Sequence, residues 1–339
     1  MSGAGPEFDP ARLDAYLKRS LAGTAGAMRL ERIAGGQSNP TFFVTYDTRR
    51  LVLRKQPPGD LLPSAHAVDR EFRVISALAP TGVPVPEPVL FCADREVVGT
   101  PFYLMERLKG RVFHDAALAG AAPEERRALY RALAESLAAL HAVDPGRVGL
   151  ADFGRPTDYF ARQIARWGRQ WDMSHAAPNP DIDRLRAWLA GHIPADERVA
   201  VAHGDYRMGN VMFHPQEPRV LAILDWELST LGHPLLDLAH ACIAWHSRPQ
   251  DYGGLDGLDR PACGLPEQAE FEAAYYAAAT HDARLDTFHM VLALFRFAVI
   301  FEGIAARGRA GNAASADAGG LAHLSGVFAR RAADLLDAG

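Results

Sequence analysis

Side chains able to carry chemistry interrupt an apolar stretch in the middle of the chain, VAHGDYRMGNVMF, which spans residues 201–213. His203, Asp205 and Asn210 form the pattern H-x-D-x-x-x-x-N there, and Asp225 follows fifteen residues after Asn210 in the segment ILDWE. Phosphoryl transfer requires one carboxylate that orients and deprotonates an acceptor hydroxyl, and an amide oxygen with a second carboxylate that hold Mg²⁺ on the phosphates. The pattern therefore predicts Asp205 as the catalytic base and Asn210 and Asp225 as metal ligands.

Two other interpretations of these polar residues compete with the first. A single His-Gly-Asp also occurs in ordinary turns, where the aspartate only satisfies backbone groups. The side chains of His203, His233, Asp237 and His240 could instead form a zinc site, since Asp237 and His240 are spaced by one helical turn. The three-part spacing favours phosphoryl transfer, and oxygen ligands without sulfur favour Mg²⁺ over a softer metal.

The elements that must position these residues change in character along the chain. The first third contains β-branched and aromatic stretches with one helix between them, from about Ser64, which predicts a small antiparallel sheet. Its predicted strands are RLERIA, TFFVTYD, LVLRK and two more at about 88–92 and 101–106. Helical patterns then dominate, in PEERRALYRALAESLAALHAV, YFARQIARWGRQW, IDRLRAWLAGHI and residues 266–339. We predict an α+β fold with a β-rich N-terminal lobe at 1–107, including the inter-lobe link, and a larger, mostly helical C-terminal lobe at 108–339.

The composition argues against several classes of protein. The 339 residues carry 36 Lys and Arg against 41 Asp and Glu, a net charge of -5, so overall charge does not favour nucleic acid or an anionic membrane. The three cysteines show no metal-ligand spacing and cannot form a fully paired disulfide framework, which suits a reducing compartment. Neither a signal peptide nor an apolar run of the ~20 residues that cross a bilayer is predicted. We expect a cytoplasmic protein with no nucleic-acid or membrane partner.

A family resemblance rests on VAHGDYRMGNVMF, on ILDWELSTLGHPLLDLAH and on the upstream GGQSNPTFFV and LVLRK. These segments resemble the aminoglycoside phosphotransferase and choline-kinase-like superfamily, which has a protein-kinase-like two-lobed fold. The resemblance covers roughly residues 25–335 and implies a small-molecule kinase that uses ATP and Mg²⁺. It also implies that Asp237 supports the loop containing Asp205 from the next helix, although Asp237 could instead cap the helix that begins beside Pro234.

The resemblance places a nucleotide-binding loop at GGQSNPT, although a full G-x-G-x-x-G is absent. Gly36 would allow close approach of the backbone to phosphate, and Gln37, Ser38 and Asn39 offer donors. A plain β-turn is the alternative interpretation of this segment. Its position before two predicted strands favours the nucleotide-binding role.

The resemblance also matches Arg54 to the phosphate-pairing lysine of kinases and Glu71 to its helix-borne partner. Arg can pair with phosphate and carboxylate oxygens bidentately, but Lys55 beside it keeps the assignment open, because consecutive strand residues face opposite ways. Since Val52 and Arg54 share a face, we choose Arg54 over Lys55. Glu106 falls in FYLMERL, the expected link between the lobes, where backbone groups would face the adenine.

Features of the helical lobe bear on the acceptor, although none identifies it. Arg162, Arg166 and Arg169 line one side of a predicted helix, either as a solvated face or as a receiver of an anionic substrate. Arg296 interrupts an apolar helix six residues before Glu302, which predicts a structural ion pair or a substrate contact. Aminoglycosides are polycations and would need an acidic pocket, whereas choline would need an aromatic cage.

Within the superfamily, QSNPTFFV, the stretch from LVLRKQPPGD to FRVISAL, and YFARQIARWGRQW most resemble the kinase-like domains associated with acyl-CoA dehydrogenase family members 10 and 11 and their free-standing bacterial counterparts. This resemblance implies a hydroxyacyl-CoA acceptor, such as a 4-hydroxyacyl-CoA, and an acyl-CoA dehydrogenase as a separate downstream partner. An aminoglycoside kinase, another small-alcohol kinase and a nucleotide-binding pseudokinase-like module are the alternatives.

Overall fold

The protein is described by a computed structural model over residues 7–33, 39–59, 66–310 and 321–338. The chain divides into two compact units, Met1–Gly110 with Leu221–Glu227, and Arg111–Val220 with Leu228–Gly339. The lobe boundary between residues 107 and 108 stays a prediction. The short segment that carries Asp225 is grouped with the first unit.

The first unit is built on an antiparallel five-stranded sheet in the order β1-β2-β3-β5-β4. Its strands are β1 (Arg29–Arg32), β2 (Thr41–Thr45), β3 (Arg50–Lys55), β4 (Pro88–Cys92) and β5 (Phe102–Glu106). Three helices accompany the sheet, α1 (Pro10–Ser20), α2 (Val68–Leu78) and α3 (Arg95–Val98). The strands expected from β-branched and aromatic enrichment are therefore present.

Residues of β3 alternate between the apolar core and the opposite face of the sheet, which carries Arg54. Leu51 and Leu53 are fully buried in the apolar core with Phe102 and Leu104, and Arg54 lies opposite Tyr103 of β5. Helix α2 buries Val74 and other apolar residues, and it carries acidic residues in its first turn, where the helix dipole favours them. This arrangement brings Glu71 of that first turn into the interior, only 1% exposed.

The second unit is mostly helical. Its helices are α4 (Pro123–His141), α5 (Tyr159–Ser174), α6 (Pro180–Gly191), α7 (Pro234–Cys242), α8 (Pro249–Tyr252), α9 (Gln268–Ala278), α10 (Thr287–Arg309) and α11 (Leu324–Ala338). Its short strands are β6 (Arg111–Val112), β7 (Ala200–Ala202), β8 (Val211–Phe213) and β10 (Thr230–Gly232), and β9 (Val220–Ile223) leads into the segment that carries Asp225. The predicted α+β, kinase-like class of fold, with an antiparallel sheet before a helical region, is confirmed.

Two antiparallel strand pairs flank the loop between His203 and Asn210, which we call the catalytic loop after the role predicted for Asp205. β7 pairs with β10 just before the loop, and β8 pairs with β6 just after it. Val201, Val211 and Phe213 are fully buried, so apolar strand residues fix both ends of a polar segment. The polar residues of VAHGDYRMGNVMF are thereby held at the ends of packed strands.

Helix α10 is the central core helix of the second unit. In the part of the chain that the structure describes, it is the one helix long and apolar enough to cross a membrane, and 89% of its apolar window is buried inside the protein. The expectation that no apolar run approaches the length of a membrane span was therefore wrong, because α10 is long and apolar enough by composition. The burial is that of a core helix, because α10 packs against α5, α7 and α11.

We predict that His233 makes stability fall on acidification. Burial, followed by the charge of His289, lowers the pKa of His233 from its ordinary value near 6.5 to about 4. Between these values the unfolded chain binds a proton that the folded chain does not, so stability should decrease by about 1.4 kcal/mol per pH unit as pH falls. His233 also caps α7 by accepting from the Leu235 amide.

Urea unfolding of the wild type and of His233→Asn across this pH range tests the prediction. Asparagine keeps a side-chain acceptor for the cap but does not titrate. The variant should lose less stability per pH unit than the wild type. Equal slopes for the two proteins would contradict the prediction.

Candidate active site

The catalytic loop is attached to helix α7 through the carboxylate of Asp237. Its Oδ2 accepts a hydrogen bond from the backbone amide of His203 at 2.6 Å, and its Oδ1 accepts one from the amide of Gly204 at 2.9 Å. His141 Nε2 lies 3.4 Å from the same Oδ2. Asp237 therefore supports the loop from the next helix, while His233 caps the helix. Of the two interpretations of Asp237, the structure favours loop support over capping.

A tight turn follows this attachment at Gly204. The residue has a φ of 84°, and a Cβ there would lie 2.5 Å from the carbonyl oxygen of Leu228. Glycine is required at this position on both counts. Arg296 donates from Nη2 to the carbonyl of Gly204, and Glu302 pairs with Arg309 instead at 2.9 Å. The predicted ion pair between Arg296 and Glu302 is therefore wrong.

Asp205 is held at both carboxylate oxygens. His240 Nε2 lies 2.9 Å from Oδ1, while Asn210 Nδ2 donates to Oδ2 at 2.8 Å and Arg207 Nε lies 3.4 Å from the same oxygen. Burial alone would raise the pKa of Asp205, but the hydrogen bond from His240 and then the charge of Arg207 hold it well below its ordinary value. Asp205 is an oriented, ionised carboxylate, as a base for an acceptor hydroxyl must be.

Asn210 ends the short 3-10 turn Met208–Asn210 after Asp205. Its Nδ2 donates to the backbone carbonyl and to Oδ2 of Asp205, both at 2.8 Å. This orientation commits the amide nitrogen and leaves the amide oxygen without a hydrogen bond among the described residues. An amide oxygen in that state is a suitable ligand for a hard divalent cation.

A second cluster of charged side chains lies in the first unit around Arg54. Its Nε lies 2.8 Å from Glu71 Oε2, an ion-pair contact rather than an aligned hydrogen bond, and its Nη2 lies 2.7 Å from Asp225 Oδ1 and 3.5 Å from Glu227 Oε2. Among the described residues, one guanidinium therefore faces three carboxylates. The excess of negative charge here favours binding of a further cation.

The pKa of Glu71 is raised by burial and by these neighbouring carboxylates. Burial, opposed by the charge of Arg54 and reinforced by that of Asp225, raises the pKa of Glu71 to about 7. Tyr103 donates its hydroxyl to Glu71 Oε2 at 3.0 Å, and Asn39 Nδ2 donates to Oε1 at 2.6 Å. Asn39 Oδ1 also pairs with His66, so protein groups occupy the side chain that was predicted to donate to nucleotide.

Asp225 occupies an unusual backbone conformation. Its φ is 63°, in the left-handed region that non-glycine residues seldom adopt and that concentrates at functional sites. Its side chain is 36% exposed, and the structure gives Oδ2 no hydrogen bond within the part of the chain that it describes. The oxygen ligands predicted for Mg²⁺ at Asn210 and Asp225 are thus chemically suited to that role.

Other predicted cofactor-binding residues divide into those with a described position and those without one. Gly36, Gln37 and Ser38 lie outside the described residues. Lys55 faces the opposite side of β3 from Arg54, with Nζ 5.5 Å from the Phe8 ring.

Glu106, also predicted to contact the nucleotide, has protein partners. Its carboxylate pairs with Arg49 at 2.7 Å, and its amide donates to the Glu87 carbonyl at 2.9 Å. The side chain and the amide of Glu106 are thus bound to other groups of the first unit. A contact with the nucleotide stays a prediction for the carbonyl groups of the link.

The alternative zinc site is not formed. Each predicted ligand has a different partner: His203 Nδ1 accepts from the Asp205 amide, His233 caps α7, Asp237 binds the loop backbone and His240 contacts Asp205. Within residues 7–33, 39–59, 66–310 and 321–338, no group of three His, Cys, Asp or Glu side chains could hold a metal ion.

A cavity of about 320 Å³ adjoins the catalytic loop within the second unit. Its wall includes residues 207–209 of the loop and His240, together with apolar residues such as Leu133, Ile243 and Phe297. Among the residues that the structure describes, no aspartate or glutamate lines it. We call this space the loop cavity, and its chemistry suits an apolar group better than a polycation.

His240 and Arg207 contact Asp205 besides Asn210. His240 was predicted only as a ligand of the alternative zinc site, and Arg207 was not predicted to act at the site. A signal for His240 was present, because it follows Asp237 by three residues and so lies on the same face of α7. Arg207 had no signal beyond its place within the loop. Helix α5 presents Arg166 and Arg169 at the surface, as a solvated face would.

Comparison with known proteins identifies the family of the chain. The family model described as "Phosphotransferase enzyme family" matches residues 29–286. Acyl-CoA dehydrogenase family member 10 of Mus musculus is 42% identical over 313 residues, covering 90% of this chain and 29% of that protein. Family member 11 of Rattus norvegicus is 40% identical, covering 92% and 41%. The chain thus spans less than half the length of these relatives.

Solved structures agree with the fold. A Ralstonia eutropha protein provisionally described as an aminoglycoside phosphotransferase superposes with a TM-score of 0.89 and 39% identity, covering 98% of this chain and 99% of that one. Aminoglycoside phosphotransferase APH(4)-Ia, solved with AMP-PNP and hygromycin B, gives a TM-score of 0.62 at 17% identity, covering 94% and 97%. The second similarity concerns the fold alone.

We predict that Asp237→Asn destabilises the protein by about 3 kcal/mol, because the amide group turns a donor toward one of two buried backbone N–H groups. Urea unfolding at neutral pH measures the loss. The matched control is Asp172→Asn, which removes one carboxylate from an exposed pair with Arg186 and should cost less than about 1 kcal/mol. Equal losses in the two variants would contradict the anchoring role of Asp237.

Proposed function

The chain belongs to the phosphotransferase enzyme family, and we propose that it transfers the γ-phosphoryl group of ATP to an alcohol group of a hydroxyacyl-CoA, such as a 4-hydroxyacyl-CoA. The observation that carries the proposal is the ionised carboxylate of Asp205, held at one oxygen by His240 and at the other by Asn210. Such a group can orient a hydroxyl and accept its proton without first losing one of its own.

In the proposed reaction the acceptor oxygen forms a bond to the γ-phosphorus, and the bond from that phosphorus to the β–γ bridging oxygen breaks. ADP takes the electron pair of the broken bond, and the hydroxyl proton passes to Asp205. Asn210 and Asp225 would hold Mg²⁺ through oxygen, and the cation would neutralise charge on the phosphates. The amide oxygen of Asn210, which has no hydrogen bond among the described residues, and the acidic side chains around Arg54 support this assignment.

Arg54 is the proposed partner of the nucleotide phosphates in the first unit. Its guanidinium is oriented by Glu71, which is itself held by Tyr103 and Asn39. Arginine stays protonated in proteins and offers several donors in a fixed plane, so it suits phosphate oxygens. Its present contacts with Asp225 and Glu227 would be shared with bound nucleotide.

The loop cavity supports an acceptor with an apolar portion. It lies beside the loop that carries Asp205, and Arg207 and His240 are among its polar residues. None of the described residues in its wall carries a carboxylate. A polycationic aminoglycoside would have no counter-charge there, whereas an acyl chain with a hydroxyl would bury apolar surface. Two relatives of the chain are named acyl-CoA dehydrogenase family members 10 and 11, and these names also favour an acyl-CoA acceptor.

Further parts of the proposal follow from this acceptor. A separate acyl-CoA dehydrogenase would act downstream on the phosphorylated product or its elimination product, and the protein would work in the cytoplasm. An aminoglycoside or other small-alcohol kinase is the second candidate, supported by the solved structure at 39% identity. A pseudokinase-like binding module would bind nucleotide without turnover.

The test is ADP release from ATP and Mg²⁺ with 4-hydroxyacyl-CoAs, free hydroxy acids, choline and aminoglycosides, followed by mass spectrometry of the products. A phosphorylated acyl-CoA is expected. Phosphorylation only of another alcohol would overturn the acyl-CoA acceptor but keep the kinase. Nucleotide binding without any product would favour the binding module.

Asp205→Asn should lower kcat at least about 10³-fold, because asparagine cannot accept the hydroxyl proton. ATP affinity, measured by calorimetric titration, should stay within about threefold of wild type, since the amide keeps the shape of the side chain. Asp172→Asn, which affects only the exposed pair with Arg186, is a control outside the catalytic loop and should leave kcat unchanged. Undiminished turnover in the Asp205 variant would rule out its role as base.

A further inference from the structure

His240 lies on the same helix as Asp237, one turn further along α7, and both act on the catalytic loop. Asp237 binds the loop backbone, whereas His240 reaches the Asp205 carboxylate, with Nε2 2.9 Å from Oδ1. His240 is 3% exposed. The helix that anchors the loop therefore also contacts its reactive side chain.

The protonation of the His240 ring follows from its two nitrogens. Nδ1 is buried and has no hydrogen-bond partner among the described residues, whereas Nε2 faces a carboxylate that can only accept. A proton on Nδ1 would leave a buried donor unpaired and set two acceptors against each other. Neutral His240 with its proton on Nε2 avoids both costs. Burial lowers the pKa of His240, which also favours the neutral ring.

The ring of His240 is also fixed by packing. Phe297 of α10 meets it edge to face, with ring centroids 5.2 Å apart and planes at 72°. Both residues belong to the wall of the loop cavity. The imidazole thus has little freedom to turn away from Asp205, and it lies where an acceptor would pass.

We propose that His240 is a positioning residue: its Nε2–H holds Oδ1 of Asp205, so that Oδ2 is the oxygen presented to the acceptor hydroxyl. This inference rests on the proposed function. Since the other contacts of Asp205, from Asn210 and Arg207, are made to Oδ2, His240 alone among the described residues fixes Oδ1. Loss of this contact would let the carboxylate rotate out of line with the acceptor.

The kinetic test compares His240→Leu with His240→Gln in the transfer assay, using the acceptor found in the panel. His240→Leu should lower kcat by about 10²-fold with little change in KM for ATP, because the base is misaligned rather than the nucleotide site damaged. His240→Gln should recover at least tenfold of that loss, since its amide can donate to Oδ1. In the Asp205→Asn background, His240→Leu should cause no further loss.

The matched control is His246→Leu, a histidine in the segment after α7 whose Nε2 contacts Gln268 rather than Asp205. It should not reproduce the loss of kcat. Equal effects of the two leucine variants, or an undiminished effect of His240→Leu in the Asp205→Asn background, would overturn the positioning role.

An NMR measurement tests the contact independently of turnover. The ¹⁵N and ¹H resonances of the His240 ring should show a neutral, Nε2-protonated imidazole whose proton is shifted downfield by Asp205. Asp205→Asn should move that proton upfield, and His246→Leu should not. A ring protonated on Nδ1, or one insensitive to Asp205→Asn, would overturn the inference even if no acceptor were phosphorylated. Absence of transfer with the expected NMR response would instead refute only the proposed function.

Discussion

The carboxylate of Asp237 is the constraint on which the catalytic loop depends. It accepts from two successive backbone amides, at 2.6 and 2.9 Å, in a place where it is almost fully buried. Buried N–H groups that lose such an acceptor are costly, so the loop is tied to α7 rather than merely near it. The turn at Gly204 and the orientation of Asp205 follow from that attachment. A polar loop between apolar strands can therefore keep one conformation.

A different balance of charge governs the first unit. Arg54 faces Glu71, Asp225 and Glu227, and the Glu71 carboxyl responds to burial and this crowding with a pKa of about 7. A structural ion pair would gain from neutrality, whereas the Mg²⁺ site proposed here would gain from a surplus of acidic oxygens held in place. The left-handed backbone of Asp225, a conformation that concentrates at functional sites, supports that proposal.

Much of the fold could be predicted from the sequence because its signals are local. Alternating apolar residues in TFFVTYD and LVLRK became paired strands, and the leucine pattern after Pro123 became α4. Contacts between residues far apart in the sequence were harder to predict. Arg296 had Glu302 nearby in the sequence but reached Gly204, because the packing of α10 against α7 and α5 decides which groups meet. Helical periodicity places His240 on the face of α7 that carries Asp237, but its contact with Asp205 depends on how α7 lies against the loop.

We propose that an acceptor alcohol attacks the γ-phosphorus of ATP with Asp205 as base. The most direct measurement is transfer from ATP to a 4-hydroxyacyl-CoA labelled with ¹⁸O in its hydroxyl group, with mass spectrometry and ³¹P NMR of the product. The expected product keeps ¹⁸O in the bridge between carbon and phosphorus, and ADP forms in equal amount. Loss of ¹⁸O, or release of inorganic phosphate without a phosphorylated product, would contradict it.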